Sequence, residues 1–331
     1  MGVMLKHPVL PNVDLSALRL LDVHAEWLQA WLREIDTEVE NGVVSSALCL
    51  QGLLSEVALY RQPRRHWAEV AEEYLTAANG FPIAYSEKYG LKLHKFERLW
   101  EQVTVHAVYS RWWVESYYQT SASIDFGRLI ETFIQPDGWI YNPSVSPTRF
   151  RYRMKSEYFM SLALGVEILK AAGFSADHQA QFESTISAHP LTGYLSAEYF
   201  RLAALDQLNA RRLAPAGLAA MLEMCHAGDG YCDFSLADKR DDYMGTTKRV
   251  SRDQALHSPL AALHAAYLAS ACSPAVHHQV QARLQNFAAH LRQNPLDIPA
   301  FKIRDLVDIP FGTGISPLEV LAASAIVTLF G

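Results

Sequence analysis

Glu131 to Trp139 reads E-T-F-I-Q-P-D-G-W and Glu223 to Tyr231 reads E-M-C-H-A-G-D-G-Y, two copies of one pattern. In each, a glutamate closes a helical segment and Asp-Gly-aromatic follows six residues later. The glycine turns the chain and the aromatic packs back. Each turn leads through a polar loop to a serine that starts a helix, at Ser156-Glu-Tyr-Phe and at Ser258-Pro-Leu. Related entries stand at Ser196-Ala-Glu-Tyr-Phe and Ser316-Pro-Leu. Serine at the N-cap, with Pro or Glu in the first turn, is a strong helix-entry signal.

Helical periodicity runs outward from this core over Leu15–Ile35, Ser46–Tyr60, Trp67–Ala77 and Lys95–Tyr118. The four serine-started helices, at 156–170, 196–209, 258–271 and 316–329, are apolar around most of their circumference, which predicts burial on most sides. Ala176–Ser187, Ala214–Met224 and Val276–Arg292 are amphipathic and suit an outer layer. Val43-Val44 and Ile303–Val307 are too short or too charged to found a sheet. The chain is therefore predicted to be all-α, an α/α toroid of inner and outer helices forming one large domain over 1–331. Residues 1–124 form a helical part without clear repeats, and 125–331 hold the toroid-like repeats.

The helix, Asp-Gly-aromatic turn, loop and helix around Asp137-Gly138-Trp139 and Asp229-Gly230-Tyr231 resemble the toroid superfamily of protein prenyltransferase β subunits and squalene and class II terpene cyclases. The resemblance covers roughly residues 125–331. It implies a central cavity entered past the loops that precede the inner helices, and a substrate such as a prenyl diphosphate. Toroid glycosidases and polysaccharide lyases share the architecture, so the fold alone does not set the chemistry.

Composition bounds the function classes. Half of the 331 residues are hydrophobic, 19% are charged and the formal net charge is −6, so the chain can fill a core and its overall charge does not point to nucleic acid. A local basic patch stays open. Residues 1–14 hold no signal-peptide core and the apolar run Val320–Phe330 is too short to span a bilayer, so a cytoplasmic protein with no membrane span is expected. Cys49, Cys225, Cys232 and Cys272 make no disulfide framework.

The loops before the serine entries carry the candidate chemistry. Arg149, Arg151, Arg153 and Lys155 precede Ser156; Lys239, Arg240, Lys248, Arg249 and Arg252 precede Ser258; Lys302 and Arg304 precede Ser316. In a net-acidic protein this recurrence predicts a basic mouth that would orient an anion. The competing account is solvated charge balanced by neighbouring aspartates. On the first account Arg151, Arg153, Lys248, Arg249, Arg252 and His257 bind substrate. Asp229, Asp233, Asp241 and Asp242 supply acid or metal-binding groups.

The second copy is longer by an insertion that holds Asp238-Lys-Arg-Asp-Asp242. Its carboxylates could hold Mg²⁺ against a diphosphate. The Asp-x-x-Asp-Asp order departs from both the Asp-x-Asp-Asp of class II cyclases and the Asp-Asp-x-x-Asp of class I synthases, so those motifs are not carried over. Cys225, His226, Asp229, Cys232, Asp233, His257 and His264 offer zinc-ligand types. Their spacing fails, because the prenyltransferase pattern sets Asp and Cys one residue apart near the start of an inner helix. Three function classes remain: an enzyme acting on a small anionic substrate, a non-catalytic scaffold docking an acidic protein partner, and a carbohydrate-active enzyme. The last needs Asp137 and Asp229 to face one cavity at about 5–9.5 Å.

Overall fold

The structure, a computed structural model, describes residues 6–40, 46–62, 105, 108–109, 111–116, 125–140, 155–189, 195–214, 217–225, 258–298 and 315–331. Of these residues 73% are helical and 4% are in strands, so the all-α class holds. The elements in order are β1 (Lys6–His7), β2 (Leu10–Asp14), α1 (Asp22–Glu40), α2 (Ser46–Tyr60), α3 (Phe126–Glu131), α4 (Lys155–Ala172), α5 (Ala176–Ser187), α6 (Leu195–Gln207), α7 (Leu218–Cys225), α8 (Pro259–Ala269), α9 (Pro274–Gln293) and α10 (Pro317–Phe330). A 3₁₀ turn at Arg211–Leu213 follows α6. The described positions between 105 and 116 are helical as well.

Four helices form the buried centre. In α10 every residue from Pro317 to Val327 is buried, and in α8 only Ala266 and Tyr267 are not. Flanking helices bury one stripe: Val276, Val280, Leu284, Phe287, Ala288 and Leu291 in α9, and Phe182, Thr185 and Ile186 in α5. These three- and four-residue spacings are the amphipathic repeat expected of a covering helix.

Neighbours in the centre follow chain order: α4 packs on α6, α6 on α8, and α8 on α10, and α10 also meets α1 and α2. The pairs run parallel, because residues at matching depths touch. The guanidinium of Arg201 lies over Phe159, Gln207 reaches Glu167, Tyr199 stacks on His264, Tyr267 bonds Asp206, and Glu319 bonds the start of α8. Parallel helices in a row need returning helices between them, and α5, α7 and α9 fill those places in the sequence.

Two sequence expectations are corrected. A helix from Leu15 is not formed; residues 6–14 make a small antiparallel hairpin and α1 starts at Asp22. Asn12 takes a left-handed φ of 58°, and the Asp14 carboxylate accepts from both the backbone N–H and the hydroxyl of Ser16, which favours a turn over a helical start. Arg61 then donates to the carbonyls of Leu15 and Leu18, satisfying them without a helix. The second correction concerns entries: Ser258 and Ser316 are N-caps, whereas α4 and α6 begin one residue ahead of Ser156 and Ser196.

The first Asp-Gly-aromatic turn is described. Gly138 N–H donates to Gln135 O and Gln135 N–H to Trp139 O, each at 2.8 Å, and the Asp137 carboxylate accepts from Trp139 N–H. Gly138 has φ 84°, and a Cβ there would meet Thr185 Oγ1 at 1.9 Å, so glycine is required on two counts. Trp139 turns inward against Tyr158, Phe159 and His189.

Candidate functional site

Because α4, α6, α8 and α10 are parallel, their N-termini lie toward one end of the centre. In the sequence, the basic loops precede three of these helices, α4, α8 and α10. Asp229, Asp233, Asp241, Asp242, Arg151, Arg153, Lys248, Arg249, Arg252 and His257 all lie outside the described residues, as do His226 and Cys232. The described geometry at the N-terminal end of these helices is defined by Glu319, Ser258, Ser316, Glu198 and Arg201.

Glu319 sits in the first turn of α10, 1% exposed. Its N–H donates to the Ser316 N-cap hydroxyl, while its carboxylate reaches across to α8. There Oε1 accepts from the Ser258 hydroxyl at 2.7 Å and Oε2 from the Leu260 N–H at 2.9 Å. Ser258 Oγ in turn accepts from Ala261 N–H. One carboxylate therefore caps a neighbouring helix, where the unpaired N–H groups and the positive dipole end favour an oxyanion. Burial pushes its pKa up to about 7, against the pull of the Leu260 and Ser258 hydrogen bonds.

On the α4 and α6 side, Arg201 is 4% exposed. Its guanidinium carbon is 5.8 Å from the centre of the Phe159 ring, a cation–π distance. Nη2 donates to Ile186 O at 3.1 Å, and Nη1 stands 3.8 Å from Glu198 Oε2. Nε and Nη1 are buried and have no hydrogen-bond acceptor. Burial lowers the guanidinium pKa, and the Glu198 charge opposes that.

His264, put forward among the zinc-ligand types, is a packing residue midway along α8. Its ring stacks on Tyr199 with centroids 3.9 Å apart and planes at 10°. Nε2–H donates to Val9 O at 3.1 Å, and burial drives the pKa down to about 3, so the ring is neutral. Among the described residues no group of three or more His, Cys, Asp and Glu is placed to hold a metal ion. Asp137 is exposed at the first turn, spent on Trp139 N–H. The aromatic residues Trp139, Phe159, Tyr199 and Phe200 are core filling.

At the opposite end, Glu167 Oε2 accepts from Tyr109 O–H and from Gln207, and burial raises its pKa to about 7. Asp206 binds Tyr267 O–H and pairs with Arg211 at 2.9 Å. No described helix is long and apolar enough to cross a membrane.

Glu198, Arg201 and Glu319 were not singled out by motif. The available signal was their type: charged residues in helices that are otherwise apolar, where a charge needs a partner. Compared with protein-family models, with curated proteins and with solved structures, the chain matches none.

Proposed function

We propose that the protein is an α/α toroid that binds an anionic, phosphorylated or prenyl-diphosphate-like substrate at the end where the N-termini of α4, α6, α8 and α10 gather. The observation that carries this reading is their parallel run, fixed by matched contacts from Phe159 and Arg201 through to Leu260 and Glu319. Parallel helices sum their N-terminal dipole ends on one side, and the loops entering that side are rich in arginine and lysine. The neighbour order supports a ring: α2 meets α10, α10 meets α8, α8 meets α6 and α6 meets α4, and Tyr109 from the helical positions before α3 bonds Glu167 on α4. Glu319 on Leu260 N–H makes the contact that a substrate oxyanion would make at such an end.

In this reading Arg151, Arg153, Lys248, Arg249 and Arg252, with His257, clamp the anion. Asp229, Asp233, Asp241 and Asp242 serve as general acid or hold Mg²⁺, which would neutralise a diphosphate leaving group. The carbohydrate-active alternative would need Asp137, which is exposed and accepts from Trp139 N–H, to share a cavity with Asp229, which lies outside the described residues.

The test is calorimetric titration of the whole chain with sodium pyrophosphate at low and high ionic strength. The parent should bind, with affinity falling as salt rises, and Arg153→Ala with Arg249→Ala should weaken binding by about 1.5–3 kcal/mol per lost charge-assisted contact. Equal binding by parent and double variant would turn the loops into a solvated rim and leave the scaffold reading in the lead.

A further inference from the structure

A buried guanidinium ordinarily spends its donors on carbonyls and carboxylates, because an unpaired N–H away from water is costly and more so on a charged group. Arg201 departs from that rule. Nη2 has taken the Ile186 carbonyl of the last turn of α5, but Nε and Nη1 are buried with no acceptor. Glu198 Oε2, at 3.8 Å from Nη1, is close enough to balance the charge and too far for a hydrogen bond. The Phe159 face attracts the cation and offers no lone pair. The charge is thus held in place by three neighbours, with Nη1 turned to Glu198 and Nε–H left for a ligand. Arginine side chains on a helix lean toward its N-terminus, and Glu198 in the first turn of α6 marks that direction here.

We infer that Arg201 anchors an oxyanion site just below the helix N-termini, in which one oxygen of a ligand's carboxylate or phosphate group accepts from Nε–H, the donor on the side of the guanidinium away from Nη1 and Glu198. The inference rests on the reading of that end as an anion-binding mouth, and it assigns the deepest contact to a residue of α6 instead of the entry loops. Charge-assisted bonds to a guanidinium are short and directional, so the site selects an oxyanion over a neutral hydroxyl. Lysine would keep the charge and lose the Nε–H donor.

The experiment titrates the full chain calorimetrically at low ionic strength with sodium pyrophosphate and, separately, sodium malonate, in the parent, Arg201→Lys, and the Arg153→Ala, Arg249→Ala double variant. Binding of either probe, weakened about tenfold or more in Arg201→Lys at an unchanged melting temperature, is the expected result; which probe binds tells a phosphate source from a carboxylate source. Parent-like binding by Arg201→Lys with weakened binding by the double variant overturns the Arg201 site and leaves the basic mouth standing. The reverse pattern keeps Arg201 and removes the loops, and a parent that binds neither probe removes both. If Arg201→Lys does not fold, the arginine Nε–H region of the parent's ¹⁵N–¹H spectrum decides: a solvent-protected signal must shift as pyrophosphate is added, and a spectrum that does not change overturns the site.

Discussion

The backbone N–H of Leu260 in α8 donates to the carboxylate of Glu319 in α10 at 2.9 Å, so one helix is capped by the first turn of the next. The proton on that carboxylate sets a pH dependence. The folded pKa lies near 7 against an ordinary 4.5, so between these values the folded state binds more protons than the unfolded chain and stability falls as pH rises. The loss is complete above the folded pKa and amounts to a few kcal/mol. Glu319→Gln cannot ionise, so its stability relative to the parent should rise from pH 5 to pH 8. Chemical unfolding of both proteins across that range checks it; a constant difference would refute the assignment.

Ser258 couples to the same group. Ser258→Ala removes the N-cap of α8 and should lower stability by roughly 1 kcal/mol. It also deletes one of the two hydrogen bonds that pull the Glu319 pKa down, so the pH at which stability levels off should move higher. A midpoint that does not move would separate cap from carboxylate.

His264 works in the opposite sense. Its folded pKa near 3 lies below the ordinary 6.5, so on acidification the unfolded chain takes up the proton first and stability falls. In a ¹H NMR titration from pH 8 to pH 5, the His264 ring signal should not titrate, and its position should depend on the Tyr199 stack. A midpoint near 6.5 would mean the ring reaches water.

Two substitutions test the first Asp-Gly-aromatic turn. Trp139→Ala should cost roughly 3–5 kcal/mol, because the ring is 8% exposed and meets Tyr158, Phe159 and His189. Gly138→Ala should destabilise by about 1–3 kcal/mol, since φ is 84° and the new Cβ would strike Thr185. Denaturant midpoints near the parent's would show that the turn bears little on the core.

What the sequence made legible was local. Ser46–Tyr60 and Ala176–Ser187 are helices with the expected bounds, and Ser258 and Ser316 cap where a serine before Pro should. The hairpin at 6–14 and the non-helical stretch after it are not legible in the pattern, because they depend on a left-handed Asn12 and on an Arg61 side chain that reaches the carbonyls of Leu15 and Leu18 from just beyond α2. Glu319 is illegible for a related reason. Three residues after Ser316 it reads as a reciprocal cap of its own helix, and only packing sends its carboxylate to α8. Arg201 and Glu198 look like an ordinary helical pair at i, i+3 until burial shows which donors lack acceptors.

The ties between the two ends of the chain bear on how it is made. Val9 O bonds His264, and His24 bonds both Ser324 Oγ and Pro295 O, spanning 255, 300 and 271 residues of sequence. On a ribosome, α1 and the hairpin emerge long before their partners in α8 and α10, while α2, which also packs on α1, follows directly. The hairpin can reach α8 only after residue 269 and α1 can reach α10 only after residue 317, so closure is a late step governed by long-range contacts, and a ribosome stalled before residue 317 would hold a nascent chain whose first helix is still unpartnered by α10.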